Sequence, residues 1–461
     1  MNQPCSSRRS FFKKSMGAGV CAATAPMLLP RLSAQDSAND RLGVACIGVG
    51  GRGSGIGGQA AGLGQLIACC DVSLKNATNF SNFHGEKGRQ CKIYNDYREM
   101  LDKESGVDVV TIGTPDHWHV KIAIEAMKAG KHVYCEKPLT LTLAEGREVQ
   151  EAVKRYGKIF QVGTQQRSEF DHRFLKAVAI ARSGRLGENL RAVSSVGQAA
   201  SRAQDKEKPF GPFKTSQPPE GFDWDLWLGP APAVDYCDER VGWNFRWWFE
   251  YSGGQVTDWG VHHTDIAFWA LGGDDGEAIE ASGKGEFMGT TREQSLGLLL
   301  GKIPPKEMPV AWNVAYSFDV NIKLSTGNSI QLVSGPNELL IEGDRGKIRV
   351  NRGSLTGKPV EDVDADPKAK QEIEELMAKI YGGDLPKGHM NNFFECVRNG
   401  KAPVANVRDH VRAVNATHLA NIALLTGRRI QYNPSTMSFT GDAEANQLVR
   451  RVKRAGYEIN G

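Results

Sequence analysis

The sequence predicts an α/β chain in two parts, an N-terminal doubly wound parallel sheet and a C-terminal α+β domain built on an open, mostly antiparallel sheet. Three observations predict it. Between residues 41 and 163, strand-like and helix-like segments alternate, as in a parallel sheet covered by helices. The first of those strands runs into a glycine cluster, Gly48-Val49-Gly50-Gly51-Arg52-Gly53. Between residues 310 and 350, Val314, Tyr316, Phe318, Val320 and Ile322 alternate with polar residues, the period of half-buried antiparallel strands. Length agrees, because 461 residues exceed what one hydrophobic core usually supports.

The first strand is expected over residues 42–47 and the second over 66–70, ending in Asp71. A third over 107–112 is closed by Gly113-Thr114-Pro115, and helical periodicity follows over 120–129 until Gly130. Residues 132–135 form a short strand entering Glu136-Lys137-Pro138; 144–156 form a helix and 159–162 another strand. Boundaries follow at 35–163 for the first domain, 164–433 for the second and 434–461 for a C-terminal extension. In the second domain, 171–182, 390–397 and 407–425 have helical periodicity and 335–350 reads as a hairpin. Residues 201–256 are loop-rich, and seven of the nine tryptophans lie between Trp224 and Trp269.

Residues 1–34 read as an address. Ser7-Arg8-Arg9-Ser10-Phe11-Phe12-Lys13 resembles a twin-arginine export signal, and the apolar run from Met16 to Leu29 is shorter than the roughly 20 residues that span a bilayer. The expectation is an exported, periplasmic protein with no membrane span once that segment is removed. The five basic residues Arg8, Arg9, Lys13, Lys14 and Arg31 precede residue 35 with no acid among them, so the formal net charge of +4 becomes −1 without them. Such a balance gives no electrostatic reason to bind nucleic acid. Outside that segment seven cysteines remain, odd in number and without CxxC spacing. Several sit in apolar strands, where a thiol acts as a small hydrophobe.

Gly48, Gly50, Gly51, Arg52 and Gly53 carry G-x-G-x-x-G directly after a strand. These glycines allow a tight turn and close approach of backbone to a pyrophosphate at a helix N-terminus. The glycine-rich stretch that follows is a poor helix former. Asp71 ends the next strand 18 residues beyond Gly53, where a carboxylate accepts hydrogen bonds from an adenosine ribose and repels a 2′-phosphate. NAD is therefore expected, with NADP possible.

Glu136-Lys137-Pro138 lies past a strand's carboxyl end, where ligands bind in open α/β sheets. A lysine there reaches a reacting oxygen. On a helix, Asp258, His262, Asp265 and Trp269 fall at i, i+4, i+7 and i+11, one continuous stripe. Apolar neighbours take these groups toward an interior, which is costly unless they serve each other or a ligand. Neighbouring carboxylates are expected to favour protonated His262. Thr114, Pro115, His117 and His119 follow the third strand near a nicotinamide, and Gln165 and Arg167 follow the last strand as donors to substrate hydroxyls. Arg246 is a further candidate substrate contact inside the Trp-rich segment, whose indoles suit the apolar faces of sugar rings or serve packing. No metal is expected, because the adjacent His262 and His263 point to different helix faces.

With Gly48-x-Gly50, Glu136-Lys137-Pro138 and Asp258-x3-His262-x2-Asp265 in that order, the chain resembles the Gfo/Idh/MocA family (glucose–fructose oxidoreductase and inositol dehydrogenase), closest to its exported bacterial branch. The likeness spans about residues 41–433. It implies a Rossmann domain, a C-terminal α/β domain whose open sheet often forms an oligomer interface (a dimer or tetramer), and sugar or inositol substrates. It also implies that Lys137 activates the reacting hydroxyl, that Asp258 and His262 bind substrate and relay its proton, that Asp265 is the second carboxylate, and that His119 holds a position where the family often has a histidine. The expected activity is hydride transfer between a nicotinamide and a sugar or polyol. Redox-neutral glycoside cleavage through a keto-sugar and a catalytically silent sugar-binding module are the alternatives.

Overall fold

A computed structural model describes residues 41–459 except 86–90, 198–206, 208, 274, 288 and 386. The expected export segment, 1–34, lies outside the described residues, as does part of 201–256.

The N-terminal domain runs β1 (Gly43–Ile47), α1 (Gly51–Leu63), β2 (Gln65–Cys70), α2 (Leu74–His84), β3 (Lys92–Tyr94), α3 (Tyr97–Lys103), β4 (Val109–Ile112), α4 (Asp116–Lys128), β5 (His132–Glu136), α5 (Leu143–Tyr156) and β6 (Phe160–Gly163). All its strands are parallel, in the order β3-β2-β1-β4-β5-β6. The order reverses between β1 and β4, which opens a crevice at their carboxyl ends. Helix starts are fixed locally: Ser73, Asp96 and Thr142 cap α2, α3 and α5 by accepting backbone N–H bonds. Despite its glycines, α1 is a helix. A Cβ on Gly57 would stand 2.8 Å from the Phe80 ring and 3.1 Å from Cys46 Sγ, so the small residues let the helix press onto the sheet and offset their poor propensity.

The second domain adds α6 (Arg173–Arg182), β7 (Arg191–Val196), α7 (Trp224–Leu228), α8 (Gln255–Leu271), β8 (Ala278–Phe287), α9 (Arg292–Leu299), β9 (Ala315–Leu324), β10 (Ser329–Ser334), β11 (Glu338–Gly343), β12 (Gly346–Val350) and β13 (Leu355–Thr356). It continues with α10 (Lys358–Ala365), α11 (Pro367–Tyr381), α12 (His389–Asn399), α13 (Val407–Thr426), β14 (Ile430–Asn433), β15 (Ser438–Phe439) and α14 (Ala443–Gln447). Its nine strands follow the order β13-β12-β11-β7-β10-β9-β8-β14-β15. Among the described residues only its β7–β10 pair is parallel. The expected hairpin is β11–β12. Helices α8 and α13 pack on one face of this sheet in the largest apolar cluster.

The two domains are not consecutive blocks. Met390, Phe393 and Phe394 of α12 share an apolar cluster with Val44 of β1 and Ile56 of α1, and Tyr457 meets Trp118 of α4 edge-on at 5.6 Å. The seven described cysteines are buried thiols. Among the described residues no helix is long and apolar enough to cross a membrane.

Candidate active site

The crevice at the carboxyl ends of β1 and β4 opens into a cleft of about 720 Å³ that reaches α8. Its floor is the glycine turn. Gly48 sits at φ +72°, and a Cβ there would meet Thr114 N at 2.6 Å; one on Gly53 would lie 1.8 Å from Gly48 O. Gly53 does not face the cleft; it brings α1 onto the turn. Gly50, Gly51 and Arg52 line the opening. Beside it Asp71 accepts from Val49 N and Ser73 N, both at 2.8 Å, while burial raises its carboxyl above the usual range. This glycine cradle, with an acid at the next strand's end, fits a dinucleotide: Gly48, Gly50 and Gly51 would take the pyrophosphate and Asp71 the ribose.

At the other end, Lys137 leaves β5 and donates to Asp258 Oδ1 at 2.7 Å and to Asp258 O at 3.1 Å. Arg246 Nε stands 3.0 Å from the same carboxylate oxygen, with its guanidinium over the Trp243 and Phe245 rings at 4.4 and 4.7 Å. Burial alone would raise Asp258, yet these two cations hold it down at about 2. His262, one turn along α8, lines the same cleft. The expectation of a protonated His262 is corrected. Burial comes first, and the charges that act on it most strongly are the cations Lys137 and Arg352, so its pKa lies well below 6.5 and the imidazole is neutral. Its Nδ1 makes no hydrogen bond among the described residues, and Nε2 lies 3.4 Å from Arg352 Nη2.

Glu136 and Gln165 join this end. Glu136 Oε1 accepts from Arg52 Nε at 3.0 Å and from Gln165 Nε2 at 2.8 Å, so a glycine-loop residue and a β6-loop residue share one carboxylate. Thr114, Pro115 and His119 also line the cleft. Both His119 ring nitrogens lie 2.8 Å from carbonyl oxygens, of Pro138 and Thr114, which braces the loops leaving β4 and β5.

Three more expected residues lie elsewhere. Arg167 and Asp265 do not reach the cleft: Arg167 Nε and Nη2 donate to Asp265 at 2.6 and 2.9 Å, both buried, with the guanidinium over Trp269 at 4.8 Å. The stripe on α8 is continuous, but only its first half faces the cleft, and the second grips the turn after β6. His117 points away, its Nε2 3.0 Å from Trp227 O. His263 turns to Asn337 Oδ1 at 2.6 Å, which settles that His262 is the imidazole facing the cleft. Among the described residues no group of three or more His, Cys, Asp or Glu is placed to hold a metal ion.

Sequence reasoning missed Arg352, which follows β12 and stacks on Trp259 at 4.4 Å and Phe170 at 4.8 Å. It also left Asp116 and Glu169 without a role. Both line the cleft; burial pushes Asp116 up to about 6 and raises Glu169. Only the Thr-Pro-Asp run signalled Asp116, and nothing local signalled the other two. Trp247 and Trp248 are fully buried packing residues, whereas Trp227, Trp243 and Trp259 face the cleft.

Comparison with known proteins agrees with this architecture. The inositol 2-dehydrogenase of Salmonella typhimurium is 32% identical over 127 residues, 27% of this chain and 36% of that enzyme. The chain thus spans about a third of the length of the first relatives it matches. The scyllo-inositol 2-dehydrogenase (NAD(+)) of Bacillus subtilis is 26% identical over 308 residues, 66% of this chain and 72% of the relative. The WlbA dehydrogenase of Bordetella pertussis, solved with NADH and UDP-GlcNAcA, shares the fold at 19% identity and a TM-score of 0.57, over 85% of this chain and 98% of that one. Residues 42–164 match the NAD-binding Rossmann-fold domain of one oxidoreductase family, and residues 207–286 and 362–459 match its C-terminal alpha/beta domain. With cradle, cleft and both domains in register, the chain belongs to the Gfo/Idh/MocA oxidoreductase family.

Proposed function

We propose that the chain is an NAD-dependent oxidoreductase that interconverts a carbinol and a carbonyl on a sugar, inositol or related polyol. One observation carries the reading: the Lys137–Asp258 pair and the His262 imidazole converge on the cleft that begins at the glycine cradle. When bound there, NAD supplies a hydride acceptor or donor. The relatives, named as inositol dehydrogenases, support the substrate class, and Asp71 supports NAD over NADP because its carboxylate repels a 2′-phosphate.

The side chains divide the proton work. Neutral His262 accepts the hydroxyl proton through a ring nitrogen. The Lys137 ammonium stabilises the oxygen as negative charge develops and keeps its own place through Asp258. Asp258 stays ionised and orients the lysine. Arg246 braces the same Asp258 oxygen that Lys137 holds, and Trp243 and Trp259 offer flat apolar faces to the ring carbons.

The test is single-turnover absorbance of reduced nicotinamide against a panel of inositols and aldoses. Lys137→Ala and His262→Ala are each expected to slow the chemical step about 10²–10⁴-fold with nucleotide binding retained; rates like those of the unaltered chain in both variants refute the assignment. The reading also includes export, supported by the Arg8-Arg9 segment and checked by cell fractionation of an Arg8→Lys/Arg9→Lys variant. It includes self-association through the nine-stranded sheet, supported by the family resemblance and checked by light scattering.

A further inference from the structure

Residues 219–228, in the middle of the Trp-rich segment, take no part in the proton chemistry, yet they are bonded to the nucleotide-binding domain beside Asp71. Leu74 N donates to Gly221 O and Asp223 N to Val72 O, both at 2.9 Å, and Ser73 and Phe222 form an antiparallel bridge. Asn95 Nδ2 donates to Asp223 Oδ2 at 3.1 Å. On the opposite wall Trp118 Nε1 donates to Trp227 O at 3.0 Å. One segment of the second domain therefore ties the exit of β2 to the start of α4, across the crevice between them.

Three of its side chains face inward. Leu226 is buried in the apolar cluster of the nucleotide-binding domain with Trp118 and Ile122, and Phe222, Leu226 and Trp227 line the cleft. The C-terminal residues hold the segment from outside: Arg454 Nε donates to Gly229 O at 2.8 Å and its guanidinium pairs with Asp225. A chamber with an acid for a ribose at its edge and aromatic and aliphatic walls matches the chemistry of an adenosine, polar at the sugar and flat and apolar at the base.

We propose that residues 219–228 are a clasp that closes the adenosine end of the cleft and keeps the dinucleotide on the protein between turnovers. The proposal rests on the dinucleotide reading above and deepens it.

The experiment follows nucleotide rather than activity. Purified chain is gel-filtered, dialysed and heat-denatured, and the supernatant is analysed by mass spectrometry; about one nicotinamide nucleotide per chain is expected. Loss of NADH fluorescence on dilution gives the release rate, and the Phe222→Ala/Leu226→Ala variant is expected to release about tenfold faster or more. Because that variant also loses packing, hydrogen exchange on the unaltered chain is a second readout: the Leu74 and Asp223 amides are expected to exchange more slowly in the NAD-loaded chain than in chain stripped of its nucleotide. Unaltered chain that binds NAD but releases it as fast as the variant, or whose two amides ignore NAD, overturns the clasp and leaves the dinucleotide site standing. A chain that binds no NAD at all overturns both readings.

Discussion

At the scale of single residues, charge placement around one imidazole decides the chemistry. His262 is buried under the influence of two cationic side chains, Lys137 and Arg352, so its neutral form persists below the 6.5 of a free histidine. The acid limb of kcat/KM for carbinol oxidation is accordingly expected below pH 6.5. Removing a neighbouring cation makes protonation easier, so Arg352→Gln should move that limb upward, toward 6.5; a pH–rate profile unchanged by the substitution would detach Arg352 from the site. Lys137, Asp258 and His262 were legible in the sequence because each sits in a compact local motif whose spacing survives folding. Arg352 was not, because it reaches His262 from 90 residues away and follows a strand that carries no motif. Arg167 and Asp265 misled for a related reason. Helical spacing shows that residues share a stripe, but not where along it the cleft ends and the packing begins.

At the scale of elements, α8 acts as two devices in series. Its first turns present Asp258 and His262 to the cleft, and its later turns lock the helix to the turn after β6 through Arg167 and Asp265. Breaking a buried pair by removing one partner strands the other charge, so Arg167→Met should cost about 3–5 kcal/mol, read as a lower urea midpoint, with KM nearly unchanged in the fraction that stays folded. Helix α1 carries the opposite constraint. A methyl on Gly53 would press on the Gly48 carbonyl, which is backbone and cannot rotate aside; Gly53→Ala should cost about 1–3 kcal/mol and weaken NAD binding by calorimetry. The alternation that predicted β9 to β12 was readable because one sheet face is buried and the other wet. Strand β7 escaped notice, since its Arg-Ala-Val-Ser-Ser-Val run buries Ser194 fully and breaks the period.

Over the whole molecule, buried histidines set the acid limit. Burial holds His117, His410 and His418 down at about 3 and His389 at about 4. Above pH 6.5 these groups are neutral whether the chain is folded or not, and they add no pH dependence. Below it the unfolded chain takes up protons that the folded chain refuses. Stability is therefore lost as pH falls from 6.5 toward 3, by up to about 1.4 kcal/mol per pH unit for each histidine. Urea unfolding at stepped pH checks this; a flat curve between pH 6.5 and 5 would show that the imidazoles titrate in the native state.

The return of α12 to the side of α1, and of the final residues to α4, separates the order of synthesis from the order of assembly. When the sixth parallel strand leaves the ribosome, the apolar flank later covered by Met390, Phe393 and Phe394 is still bare, and it stays so until more than half the polypeptide has followed. Contacts that span so much chain slow folding and leave sticky intermediates exposed in the meantime. The nucleotide half is thus expected to depend on chaperone shelter until translation ends, and a messenger cut short in its last tenth should yield aggregate rather than a smaller working domain.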